Sequence, residues 1–129
     1  MDLASRIEAR VPRGGLAVDI PSTLNLVGGL VKYVSLAFVF PTILAVGFDE
    51  PFWPVLAAGA ITFATGFVVE LVTTGKERVG VREGFLVVAL IWLFLPAFGA
   101  IPYFLAGEGL LGQPLNAYFE SVSGFTATG

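Results

Sequence analysis

The residues best suited to chemistry lie at the carboxyl end of the sequence. They are Gly124, Phe125, Thr126, Ala127, Thr128 and Gly129. A loop of such residues at membrane depth can turn its backbone carbonyl oxygens toward a bare cation and replace the water around it. Irregular backbone is tolerated at that depth only inside protein or along a water-filled path. The alternative is that these residues form a helix C-cap followed by an ordinary turn.

A short helix must position this loop. Pro114 suits a first helical turn, and Leu115, Phe119 and Val122 follow at helical spacing within residues 115–123. About ten residues rise about 15 Å, which is half of the roughly 30 Å of a bilayer's hydrocarbon core. The pattern therefore predicts a re-entrant half-helix, the pore helix, followed by a filter strand that begins at Thr126.

Glu120 is the acidic residue of this half-helix. Its carboxylate is open to two interpretations. It could accept hydrogen bonds from the backbone of its own loop and brace it, since a buried carboxylate needs partners. It could instead face an outer vestibule and attract cations.

The composition is that of a membrane protein. Hydrophobic residues make up 56% of the chain and charged residues 13%, whereas soluble domains carry about 25% charge. Without Cys or His, the chain lacks thiol chemistry and the usual general base that a serine nucleophile needs. A sequence pI of about 4.7 offers no basic patch for nucleic acid. We therefore expect no enzyme, no cofactor and no nucleic-acid partner.

Three segments are long and apolar enough to cross a membrane: residues 24–48, 52–74 and 84–107. Residues 1–23 are polar and form either a helix on the membrane surface or a cytosolic tail. In the first span we expect Pro41 to free a backbone carbonyl one turn earlier and to kink the helix.

Several residues within the spans have roles beyond apolarity. Gly59 and Gly66 lie seven residues apart, which puts them on one helix face and permits close approach of another helix. Lys32 is a charge inside the first span; it either snorkels toward the interface or pairs with Glu70. Two prolines are expected to interrupt the third span, Pro96 and Pro102.

The basic residues indicate the orientation. Six of the seven precede the first span or lie between the second and third: Arg6, Arg10, Arg13, Lys76, Arg78 and Arg82. The other two loops carry only acidic charges, from Asp49, Glu50 and Glu108. The positive-inside rule then places the amino terminus in the cytoplasm. The half-helix enters from outside, so its negative carboxyl end points into the membrane and favours a cation there.

Three segments carry a resemblance to a known family. They are residues 82–88 (REGFLVV), 99–103 (GAIPY) and 117–129 (AYFESVSGFTATG). In these segments the chain resembles the membrane subunit of Trk-type potassium uptake systems, within the Trk/Ktr/HKT superfamily. The likeness is sharpest over 82–129. It is looser over 24–74, which looks like the two helices that precede the first pore unit.

The resemblance implies a role for the carboxyl-terminal residues. In that family four units of helix, pore loop and helix surround one pore, and each unit contributes a filter glycine. By resemblance Gly129 is the filter glycine of the first unit, and Thr126, Ala127 and Thr128 supply neighbouring carbonyls. The family commonly has Thr where this chain has Ala127, a change that keeps the carbonyl. The chain then looks like an amino-terminal fragment of a longer transporter.

The resemblance also implies partners and a location. They are the lipid bilayer of the cell (inner or plasma) membrane, crossed several times, K⁺ with Na⁺ as a second candidate ion, a homodimer, and a cytosolic nucleotide-binding regulatory subunit. K⁺ is the transported ion rather than a cofactor.

The expected fold is an all-α membrane protein with three transmembrane helices plus one re-entrant half-helix and filter strand. Residues 1–23 form a cytoplasmic segment, 24–74 a two-helix hairpin, 75–83 a cytoplasmic loop and 84–129 the first pore unit. The expected function is K⁺ uptake as part of the longer transporter. The alternative is a membrane interaction module that transports nothing, in which the terminal loop is only a turn.

Overall fold

The computed structural model describes residues 2–3, 18–75, 79–107 and 109–128. Within these ranges every regular element is helical. In chain order the elements are α1 (Ile20–Val34), a 3₁₀ segment (Ser35–Phe38), α2 (Val39–Gly47), α3 (Trp53–Val72), α4 (Val81–Ala106), a 3₁₀ turn (Gly109–Gly112) and α5 (Pro114–Thr126).

Three helical segments are long and apolar enough to cross a membrane, which confirms that part of the predicted fold. They are Ile20–Gly47, Trp53–Val72 and Val81–Ala106, with mean hydropathies of 1.8, 2.0 and 2.4. The first of them comprises α1, the 3₁₀ segment and α2. With 13 residues, α5 rises about 20 Å, which is too short to span the hydrocarbon core.

The first helix begins four residues earlier than predicted, at Ile20 instead of residue 24. Asp19 caps it: the Ser22 hydroxyl donates to Asp19 Oδ2 at 3.0 Å, and the Ser22 backbone N–H donates to Asp19 Oδ1 at 3.4 Å. The backbone N–H of Asp19 in turn donates to Glu83 Oε1 at 3.1 Å. A cap supplies acceptors for otherwise unpaired N–H groups, so residues 20–23 extend the helix.

The predicted disturbance at Pro41 takes the form of the 3₁₀ segment. Proline lacks an N–H, so the carbonyl of Ala37, four residues earlier, loses its helical partner. Ala37 lies inside Ser35–Phe38, where the chain is wound more tightly. The first span therefore changes geometry near its middle.

The prediction that Pro96 and Pro102 interrupt the third span is wrong. α4 runs through both residues from Val81 to Ala106. Each proline removes one backbone hydrogen bond, and neighbouring groups in a membrane protein can bond the carbonyls nearby. Pro96 leaves the Trp92 carbonyl, four residues earlier, without its helical partner. The neighbouring Leu93 carbonyl accepts a hydrogen bond from the Tyr118 hydroxyl of α5 at 3.3 Å.

α1 and α3 cross closely through small residues. A Cβ atom at Gly66 would lie 2.5 Å from the Lys32 backbone nitrogen and 2.7 Å from the Gly28 carbonyl oxygen. Ala58 and Thr62, on the same helix as Gly66, are completely buried. The predicted close-packing face of the second span is therefore confirmed.

α4 packs against both helices of this pair. The buried core consists of Val27, Val31 and Val87, with Leu90, Ile91 and Phe98 packed against it. Many large apolar side chains elsewhere on the helices stay exposed, among them Phe40, Leu71 and Trp92. Such an exposed apolar surface suits lipid or further protein rather than water.

Candidate functional site

The candidate site is the carboxyl end of α5, and α4 holds that helix in place. At the amino end of α5, the Asn116 side-chain amide donates to the Leu110 carbonyl at 3.0 Å. Near its carboxyl end, Ser121 and Phe125 lie against Gly99 of α4. A cavity of about 400 Å³ lies beside this contact, between α5, α4 and the middle of the first span. α4 and the 3₁₀ turn therefore fix the position of α5.

α5 ends in a hydrogen-bonded cap. Ala127 has a φ of 53° in the left-handed region. Its N–H donates to the Gly124 carbonyl at 3.3 Å, and the Thr128 N–H donates to the Ser123 carbonyl at 3.2 Å. This pair of bonds is the Schellman arrangement, which satisfies two of the last four helix carbonyls.

The two threonines of the site bond to each other and to the helix. The Thr126 hydroxyl donates to the Val122 carbonyl at 2.8 Å. The Thr126 and Thr128 hydroxyl oxygens lie 3.0 Å apart. Because the Thr126 hydroxyl donates its single proton to the Val122 carbonyl, the Thr128 hydroxyl is the donor in the bond between the two threonines. Both side chains thus fold back onto the helix end.

This geometry differs from the predicted filter strand, because Thr126 is helical and Ala127 is left-handed instead of extended. Thr126 is the last residue of α5, so the helix ends three residues later than position 123, where it was expected to stop. Ala127 and Thr128 follow as the cap, and both are exposed. The late end follows from the cap, because the bonds from Ala127 and Thr128 reach back to Gly124 and Ser123 and keep those residues helical. Gly129 lies outside the described residues.

The last two carbonyls of the helix at this end are those of Phe125 and Thr126. They lie at the negative pole of the α5 dipole. Carbonyl oxygens beside a partial negative charge can bind a cation, and the helix end carries groups of this kind.

Glu120 is exposed on α5. Its carboxylate makes no hydrogen bond to any other described residue. The bracing and vestibule interpretations of this side chain both stay predictions.

Lys32 and Glu70 form an ion pair between Lys32 Nζ and Glu70 Oε2. The Lys32 ammonium also lies 5.6 Å from the centre of the Tyr33 ring, within reach of a cation–π contact. The pair joins α1 to α3 next to the Gly66 crossing. Of the two interpretations of Lys32, the structure supports pairing over snorkelling alone.

Asn25 is a polar residue within the first span, outside the candidate site, that sequence reasoning missed. Its side-chain amide donates to the carbonyls of Glu70 and Thr73, at 2.9 and 2.7 Å, and so caps the end of α3. An amide inside an apolar span is a usable signal, because such a group needs a hydrogen-bonding partner in a membrane. The sequence does not reveal which partner it finds.

The chain is similar to several potassium uptake proteins. It is 38% identical over 109 residues to the Trk system potassium uptake protein TrkH of Halomonas elongata. It is 32% identical over 113 residues to TrkH of Salmonella typhimurium and 30% identical over 110 residues to the Trk system potassium uptake protein TrkG of Escherichia coli. The matches cover 82%, 81% and 81% of this chain and 22% of each relative. The chain therefore spans about a fifth of the length of these relatives. No family model matches it.

Proposed function

Because this chain belongs to the family of membrane subunits of Trk-type potassium uptake systems, which are transporters and not enzymes, we propose that it supplies the first pore unit of such a transporter. In this proposal α4 is the outer helix, α5 is the re-entrant pore helix, and residues 126–129 are the filter segment. The transported ion is K⁺, which is carried into the cell. The two-helix hairpin of residues 24–74 precedes the pore unit and supports it.

The observation that carries the proposal is the carboxyl end of α5. A helix of 13 residues cannot cross the bilayer and would end near its middle, where the helix dipole adds about half a negative charge. The carbonyls of Phe125 and Thr126 lie at this end of the helix. The carbonyls of Ala127, Thr128 and Gly129 would follow them along the chain and help to replace the water around K⁺.

The proposed orientation follows from the basic residues. With six of seven on one side, the amino terminus and the loop of residues 75–83 face the cytoplasm. α5 then enters from outside and the protein lies in the cell membrane. From the family relationship we further propose that the transporter is a homodimer, that it binds a cytosolic nucleotide-binding regulatory subunit, and that Na⁺ is a second transported ion.

One observation favours a second candidate function. The Schellman cap at Ala127 is an ordinary way to end a helix, and it suits a membrane interaction module that transports nothing. A filter segment requires more than this cap: its carbonyls must meet those of three further units around one ion. Transport is therefore the property that separates the two candidates.

The test uses a chimera in which this chain replaces the matching segment of Halomonas elongata TrkH. The chimera is expressed in a strain that lacks potassium uptake, and growth at low K⁺ and rubidium influx are measured. Growth and influx are expected from the chimera and not from the 129-residue chain alone, because one loop of four cannot enclose an ion. A chimera that inserts in the membrane at a normal level and transports nothing would favour the interaction module.

A further inference from the structure

We propose that Gly99 of α4 is a positioning residue for ion selection: its bare backbone seats Ser121 and Phe125 and so fixes the depth and tilt of the filter-bearing end of α5. This inference rests on the proposed function, since it concerns how the filter segment is held. It gives Gly99 a role in selectivity although Gly99 contacts no ion.

Gly99 lies very close to two side chains of α5. A Cβ atom added at Gly99 would lie 2.7 Å from Ser121 Oγ and 2.7 Å from Phe125 Cε2. Carbon atoms in favourable contact lie about 3.5–4.0 Å apart. A methyl group would therefore clash with side-chain atoms from two consecutive turns of α5 at once, and α5 shifts by as much as rotation of these two side chains leaves unrelieved.

This contact lies next to the filter segment along α5. Ser121 is buried and Phe125 directly precedes Thr126, the first residue of the filter segment. The bonds from Thr128 to Ser123 and from Ala127 to Gly124 tie the cap to the same two turns. A displacement at Ser121 and Phe125 is thus passed to the carbonyls of the site.

A cavity beside the contact leaves room for the carboxyl end of α5 to move. The cavity of about 400 Å³ lies directly beside Gly99, Ser121 and Phe125. The amino end of α5 is held separately, by Asn116 on the Leu110 carbonyl. A group added at Gly99 would then move Ser121 and Phe125, and with them the carboxyl end of α5, while the amino end stays held.

The Ser121 hydroxyl indicates the kind of contact. Ser121 Oγ is buried and has no hydrogen-bond partner among the described residues. The Ser121 hydroxyl therefore adds no hydrogen bond between α5 and the other described residues. The seat acts by shape, and a smaller side chain at position 121 should relieve a larger one at position 99.

The experiment compares variants of the chimera at matched protein levels in the membrane. Gly99→Ala and Gly99→Val are expected to lower the ratio of K⁺ to Na⁺ uptake in order of size. Gly84→Ala is the matched control on the same helix, because a Cβ there meets nothing within 4 Å; it should keep the wild-type ratio. Gly99→Ala combined with Ser121→Gly removes one of the two clashing groups and should recover part of the loss.

The outcomes separate this inference from the proposed function. If Thr128 and Gly129 variants change the ratio while both Gly99 variants keep it, the seat is refuted and the filter stands. If Gly99 variants lower K⁺ and Na⁺ uptake equally, Gly99 serves general packing and the inference is again refuted. A wild-type chimera without any uptake refutes the proposed function itself.

Discussion

The close crossing of α1 and α3 at Gly66 sets how much stability a larger residue at this position would cost. We expect Gly66→Ala to destabilise the helix pair. The added Cβ would lie 2.5 Å from the Lys32 nitrogen, 2.7 Å from the Gly28 oxygen and 2.9 Å from the Lys32 Cα. All three are backbone atoms, so no side-chain rotation can relieve the contact. The two helices must separate by about 1 Å to restore ordinary contact distances.

The cost of this separation is about 1–3 kcal/mol, the usual range for overpacking a well-packed core. That is about a 5- to 150-fold shift of the folding equilibrium toward the unfolded form. The separation also stretches two polar links that lie beside the crossing, the Lys32–Glu70 ion pair and the bonds from Asn25. The loss should therefore fall in the upper part of the range.

The assay is thermal unfolding of the 129-residue chain in detergent, followed by the fluorescence of Trp53 and Trp92. Gly66→Ala should lower the midpoint clearly. Gly47→Ala is the matched control, because its Cβ meets nothing within 4 Å and Ala is the better helix former. Equal midpoints for Gly66→Ala and the wild type would refute the close crossing.

Three further predictions test other parts of the structure. In intact cells a cysteine at Glu50 should react with an impermeant thiol reagent from outside and one at Arg78 should not; external labelling at Arg78 would refute the orientation. Lys32→Met in the chimera should reduce uptake at normal protein level, because it leaves the Glu70 carboxylate without its partner in the membrane. The charge swap of Lys32 and Glu70 should restore part of that loss, and full uptake by the single variant would contradict a role for the pair. Ala127→Gly should raise the thermal midpoint of the 129-residue chain, because a φ of 53° strains Ala by about 1–2 kcal/mol relative to Gly; a lower midpoint would contradict the cap.

Local patterns in the sequence were sufficient to find the spans and the disturbed middle of the first one. Length and apolarity define the three spans, and Pro41 acts on the carbonyl one turn before it, as its chemistry requires. Gly66 could be recognised because small residues at helical spacing permit close crossings. These features depend on residues that are near each other in the chain.

The features that were missed depend on residues that are far apart. The start of α1 depends on Asp19, whose N–H is bonded to Glu83 from another helix. The choice between pairing and snorkelling for Lys32 depends on how α1 and α3 align, which no local pattern records. The predicted end of α5 at position 123 is too early, because the cap bonds to Ser123 and Gly124 keep these residues helical.

The central claim, that residues 126–129 are a filter segment, is tested most directly by ion selectivity in the chimera. K⁺ and Na⁺ influx are compared for Gly129→Ser and Ala127→Thr at matched protein levels. Gly129→Ser adds a side chain where filter backbone needs its freedom, so it should reduce the preference for K⁺ over Na⁺ or abolish uptake. Ala127→Thr keeps the carbonyl and should change the preference for K⁺ less than Gly129→Ser does, although a β-branched residue at a φ of 53° strains the cap. Wild-type selectivity in Gly129→Ser would contradict the claim.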